Sequence, residues 1–124
     1  MLYSIESGRY MDFTPYENEF KVWRSRLSAE QYDRICDELN SRIAGDEIHT
    51  SSWIPGSDWS GTVFEPIYSV ACHCDPDSSA RFFGLIMWEV VKHHDQTWSY
   101  GRYEKNGIPI NGLTYFRIQN PPVR

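Results

Sequence analysis

The sequence predicts an α+β domain: three helices, at about 15–27, 29–43 and 76–92, packed on an antiparallel sheet of about four strands, at about 48–54, 63–72, 96–103 and 113–118. Three observations carry this prediction. Three segments show apolar residues at helical spacing behind capping signatures. The stretches after them are rich in β-branched and aromatic residues, and the last two alternate with the strand period. Two Asn-Gly pairs, Asn106-Gly107 and Asn111-Gly112, are good hairpin turns that make the last two strands antiparallel neighbours.

The elements follow in chain order. Leu2, Tyr3 and Ile5, then Tyr10, Met11 and Phe13 around Gly8, read as an edge strand. Thr14, Pro15 and Glu17 match an N-cap, a proline at the first helical position and the reciprocal glutamate of a capping box. Tyr16, Phe20, Trp23 and Leu27 then recur as one apolar stripe. Ser28 with Gln31 repeats the capping signature, so a second helix starts with almost no loop, its stripe being Tyr32, Ile35, Cys36, Leu39 and Ile43. Gly45 is the natural left-handed residue beyond its end. From Asp46 to Thr62 the chain turns to loop chemistry, with Pro55, Gly56 and Gly61 among Trp53 and Trp59 after a short strand at 48–54. Val63, Phe64, Ile67, Tyr68 and Val70 favour a strand at 63–72, disturbed by Pro66.

The third helix is the element the others must cover. Asp75 is its N-cap, Pro76 fits the first helical position, and Asp77 lies in the positive first turn. Phe83, Gly84, Ile86, Met87, Trp88, Val90 and Val91 sweep an arc of roughly 200°, wider than a helix lying on one surface needs. Neighbours on several sides are expected, and a close approach by another backbone or ring would account for Gly84. Beyond it, Trp98, Tyr100 and Arg102 alternate with small residues as a strand, 113–118 repeats the pattern, and 119–124, with Pro121 and Pro122, reads as a frayed tail.

Composition excludes several classes of function. With 124 residues, 40% hydrophobic and 15% aromatic, the chain is one folded domain spanning 1–124. A net charge of −5 with no basic block argues against nucleic-acid and membrane partners. Neither a secretory leader nor a run of 18 apolar residues is visible, and three cysteines in no disulfide-rich spacing fit reduced thiols, so a soluble, cytoplasmic protein is expected. No cofactor is implied.

Four sets of residues bear on function. Cys72-His73-Cys74 has metal-ligand chemistry, but Cys-x-Cys on a strand puts both sulfurs on one face and no second pair completes a shell, so no metal site is expected. The same residues are the alternative for a small hydrolase or transferase with a Cys/His/carboxylate set, because the helix starting after Cys74 would lower a nearby thiol pKa. Trp53, Trp59, Trp98 and Tyr100 are the candidates for an aromatic-lined cleft, with Asp58 and Glu65 as its polar contacts. Phe82 and Leu85, rimmed by Arg81, Glu89, Lys92 and His93, have the layout of a subunit interface.

As a whole the chain resembles the small single-domain proteins encoded by mobile gene cassettes of bacterial integrons, through S-S-W-I-P-G-S-D-W-S-G-T-V-F-E-P-I-Y and F-F-G-L-I-M-W-E-V-V. The resemblance carries over no functional residue and implies a bacterial protein with an adaptive role. The function expected from the sequence is non-catalytic: a self-associating domain, as a dimer, that binds a small molecule or protein in its aromatic cleft. A further alternative, from the acidic balance alone, is an interaction module that neutralises a basic protein partner.

Overall fold

The computed structural model describes residues 1–44, 59–102 and 113–123 with their side chains, and 48–50, 104–105 and 108–109 by their backbone. β1 (Leu2–Ser4) and β2 (Arg9–Met11) form an N-terminal hairpin, followed by α1 (Glu17–Arg26), α2 (Ala29–Ile43) and β3 (Ile48–Thr50). A π-helical turn (Ile67–Ala71) leads into α3 (Pro76–Lys92), and the chain ends in β4 (Trp98–Gly101), β5 (Glu104–Lys105), β6 (Ile108–Pro109) and β7 (Thr114–Arg117). This is the expected α+β class, with all three expected helices in place.

α3 is the hub. Asp75 caps it by accepting the Ser78 backbone N–H at 3.3 Å and the Ser78 hydroxyl at 2.5 Å. Those bonds, the hydroxyl's foremost, hold the Asp75 carboxyl below the usual carboxylate range. Phe82, Phe83, Leu85, Ile86, Met87, Trp88, Val90 and Val91 are all buried, so the helix is covered on several sides. Phe20 and Trp23 of α1 pack on Phe82 at 5.9 and 5.7 Å between ring centroids. Phe64 and Trp59 pack on Phe83 at 5.6 and 5.8 Å, and Tyr100 of β4 meets Trp88 at 4.9 Å.

Gly84 departs from expectation, because a Cβ built there would meet nothing within 4 Å. No close approach explains the glycine. Gly84→Ala is expected to stabilise the fold by about 1 kcal/mol. In thermal unfolding followed by circular dichroism this raises Tm by about 4 °C; a lower Tm would contradict the open space seen beside it.

α1 starts two residues later than its capping signature predicts. Its N-cap is Tyr16, in the left-handed region at φ 51° and without a side-chain cap. Thr14 is drawn away: its hydroxyl donates to the Glu89 carboxylate of α3 and accepts from Lys92 Nζ at 3.2 Å. Alongside, Trp88 Nε1 donates to the Phe13 carbonyl at 2.9 Å. Bonds to α3 outweigh a local cap worth about 1 kcal/mol. α2 instead forms its predicted capping box, with the Gln31 N–H donating to Ser28 Oγ and the Ser28 N–H to Gln31 Oε1, both at 3.0 Å. Gly45 lies outside the described residues.

The strand expected at 63–72 is a correction: the chain there is helical, closing as a π turn in which the Cys72 N–H reaches the Ile67 carbonyl at 3.1 Å. Phe64, Ile67 and Ala71 are fully buried, and their spacing of three and four residues is the helical period. The β-formers misled because β-propensity mostly measures fit to a pleated, half-buried surface, whereas α1 and α3 offer this segment a helical seat. Pro66, at φ −59°, suits entry into that turn, and Arg26 Nη1 closes its end by donating to the Ala71 carbonyl at 2.7 Å.

The main sheet has five strands in the order β2-β1-β4-β7-β3. It is mixed rather than purely antiparallel, since β1 lies parallel to β4 with Leu2 beside Trp98, while the other three junctions are antiparallel. The three helices between β1 and β4 supply the long crossover that a parallel pair needs. Of the expected strand 48–54, Ile48–Thr50 is a strand beside β7, and 51–58 lies outside the described residues. β5 and β6 form a separate ribbon with Lys105 opposite Ile108, which sets the register the two Asn-Gly turns left open. Leu2, Trp98 and Tyr115 point into the core under α3. In the C-terminal stretch, Val123 is 99% exposed, but the Pro122 carbonyl accepts the Tyr10 hydroxyl.

Candidate functional site

The site that emerges lies between α2 and the C-terminal end of α3. Tyr32, Cys36 and Asn40 recur every four residues on α2 and so form one stripe, beside the core stripe of Ile35, Leu39 and Ile43. Glu89, Val90 and His93 of α3 face them, and together the six residues enclose an open groove of about 290 Å³. That is the small end of the range for ligand pockets.

Glu89 is the polar centre of the groove. Its side chain is 13% exposed, and Oε1 takes the Thr14 hydroxyl and Lys92 Nζ, the latter at 3.0 Å. Lys92 is as buried as its partner, so the carboxylate is fixed from the inside. Oε2 has a looser neighbour, His93 Nε2 at 3.4 Å, on a side chain 74% exposed. That separation exceeds an ordinary hydrogen bond.

The α2 wall is neutral. Burial is the largest cause pushing the Cys36 thiol up, with the Asp33 and Asp37 charges adding to it and the Tyr32 hydrogen bond and Arg24 opposing. Burial likewise raises the Tyr32 phenol well above its ordinary value. Their closeness, one helical turn apart, raises the phenol further and opposes the rise of the thiol. Both groups are protonated at neutral pH. Arg24 lies over the Tyr32 ring, 3.9 Å from its centroid. A neutral thiol whose pKa burial raises is a poor nucleophile. The arrangement suits holding a ligand, not attacking one.

The residues singled out from the sequence scatter over the molecule. Trp53 and Asp58 lie outside the described residues. Trp59 is half-buried against Phe83, whereas Tyr100 packs on Trp88. Phe83 and Trp88 are five positions apart on a helix, which turns them about 140° from each other. Trp59 and Tyr100 therefore sit on different sides of α3 and do not share one cleft. Trp98 is buried to 1% and meets the His94 ring edge-on at 5.9 Å. Glu65 faces a shallow surface depression with Gln31 and Arg34.

The expected interface is also redirected. Phe82 and Leu85 are 0% and 6% exposed within the single chain, Phe82 beneath Phe20 and Trp23 of α1, so they offer little apolar surface to a second copy. Arg81 pairs with Glu19 of α1 at 3.0 Å, and Glu89 belongs to the groove.

Cys72-His73-Cys74 is not on a strand, so its sulfurs do not share a face. Cys72 is buried, and burial raises its thiol, while Cys74 is exposed. His73 and Cys74 both adopt left-handed φ, at 51° and 62°, to leave the π turn. Among the described residues no three His, Cys, Asp or Glu side chains gather as a metal-binding set. Nor, among them, is any helix long and apolar enough to cross a membrane.

Sequence reasoning placed Tyr32 and Cys36 in the core stripe and Glu89 on an interface, and did not single out Asn40. One signal was available. Asn40 continues the Tyr32–Cys36 stripe as a polar residue, and Glu89 with Lys92 and His93 forms the matching i, i+3, i+4 cluster on α3. Compared with protein-family models, curated proteins and solved structures, the chain shows no match to any of them.

Proposed function

We propose that this α+β domain is a non-catalytic binding protein whose ligand is a small molecule held in the groove between α2 and α3. The observation that carries the reading is Glu89: a carboxylate only 13% exposed, anchored through one oxygen and presented through the other to a groove of about 290 Å³. Of the aromatic groups expected to form a cleft, Trp98 is buried and Trp59 and Tyr100 pack on Phe83 and Trp88, which favours the groove for the binding role.

A fragment screen read by ¹⁵N–¹H correlation spectra tests this directly. Hits should perturb the amides of Tyr32, Cys36, Asn40, Val90 and His93 as one group. Asn40 is exposed on the groove's rim, so Asn40→Trp should block entry and weaken such hits at least ten-fold without unfolding the chain. Hits that cluster elsewhere, or that bind Asn40→Trp equally well, would defeat the proposal.

A further inference from the structure

Resting on that reading, we infer that the ligand is a small organic cation, a primary amine or guanidinium, whose N–H groups bond Glu89 Oε2 and the acceptors around it. The charged acceptor that the groove presents is Glu89 Oε2, since Lys92 bonds the carboxylate's other oxygen. Lys92 donates to Thr14 Oγ1 and Glu89 Oε1, so it is committed to the groove's floor. The Tyr32 hydroxyl lines the groove, and its oxygen can accept as well as donate. Asn40 donates one Nδ2–H to the Cys36 carbonyl at 3.0 Å and keeps its oxygen as an acceptor beside a second N–H. Among the groove's acceptors, Glu89 Oε2, Tyr32 Oη and Asn40 Oδ1, only Glu89 Oε2 carries charge.

An ammonium or guanidinium matches a carboxylate oxygen flanked by neutral acceptors, bringing a positive charge and several N–H groups together. His93 Nε2 approaches Glu89 Oε2 at 3.4 Å from an exposed, displaceable side chain. Charges around the groove are balanced toward the acid: Asp33 and Asp37 act on Cys36 from α2 and Glu89 acts on Tyr32 from α3, against Arg24 on the Tyr32 ring and Lys92 beneath. The chain's net charge of −5 steers cations in the same direction. Val90, 6% exposed, and the Tyr32 ring give the ligand's carbon body an apolar wall.

Benzylamine, benzyl alcohol and benzoate, titrated at pH 7.5 and followed by ¹⁵N–¹H spectra, separate charge from shape. Benzylamine should shift the groove amides and bind at least ten-fold more tightly than benzyl alcohol, with benzoate weakest. Glu89→Gln should erase the amine's advantage over the alcohol. Should that variant not fold, His93→Ala keeps the test: removing the exposed neighbour of Oε2 should tighten benzylamine two- to five-fold and leave benzyl alcohol unchanged. Alcohol binding as tightly as amine at these same amides would overturn the cation inference while leaving the groove as the binding site. No probe perturbing these amides would overturn both.

Discussion

Phe82→Ala should cost the fold about 4 kcal/mol, the largest loss expected from any single truncation on α3. Phe82 is 0% exposed, with the Phe20 ring 5.9 Å and the Trp23 ring 5.7 Å away, so it is the contact through which α1 seats on α3. Truncation removes the transfer energy of a buried ring. It also leaves a cavity that two aromatic neighbours cannot collapse into without leaving their own rotamers. Against a total stability of about 5–15 kcal/mol, that is a large fraction. In urea the unfolding midpoint should fall by about 2 M. The sedimentation coefficient of the folded variant should stay that of the parent, because the side chain is covered from within the chain. A midpoint change under about 0.5 M, or a change of assembly state, would show that Phe82 faces something other than α1.

Glu89→Ala is the second. The carboxylate is bonded by Thr14 and Lys92, and Lys92 is itself only 13% exposed, so removal strands an ammonium with little water around it. Breaking a fully buried pair costs about 3–5 kcal/mol. Here the remaining exposure screens the charge, and about 2 kcal/mol is expected. The loop around Thr14 loses one of its ties to α3 and keeps the Trp88–Phe13 bond. If the cost is mainly the unpaired ammonium, Lys92→Met in the same chain should recover more than half of it, measured by urea unfolding as a double-mutant cycle. Additive losses would show that Glu89 and Lys92 are not coupled and that the groove floor is not held this way.

These expectations separate what was legible from what was not. The three helices could be read because each carries its own evidence: apolar residues at helical spacing behind a start signal, as in Ser28 with Gln31 or Asp75 with Pro76. The strand at 63–72 was misread because residue type was weighed above spacing, although Phe64, Ile67 and Ala71 already kept the helical period. The surroundings of the aromatic residues were illegible for a different reason. Large aromatics in a small domain are needed by the core first, and Trp59, Trp98 and Tyr100 are placed there by contacts with Phe83, His94 and Trp88 that no local pattern reveals.

By itself the sequence determined the class of the fold, the three helices and the central position of the segment from Pro76 to Lys92, because caps, periodicity and apolar width are local properties of a chain. Only the tertiary structure decided that Thr14 leaves its helix cap to bond Glu89, that Phe82 is covered from within, and that Tyr32, Cys36 and Asn40 meet Glu89 and His93 across a groove. Each of these depends on how α1, α2 and α3 cross. That geometry is set by packing between side chains up to 78 positions apart, so no window of sequence contains it.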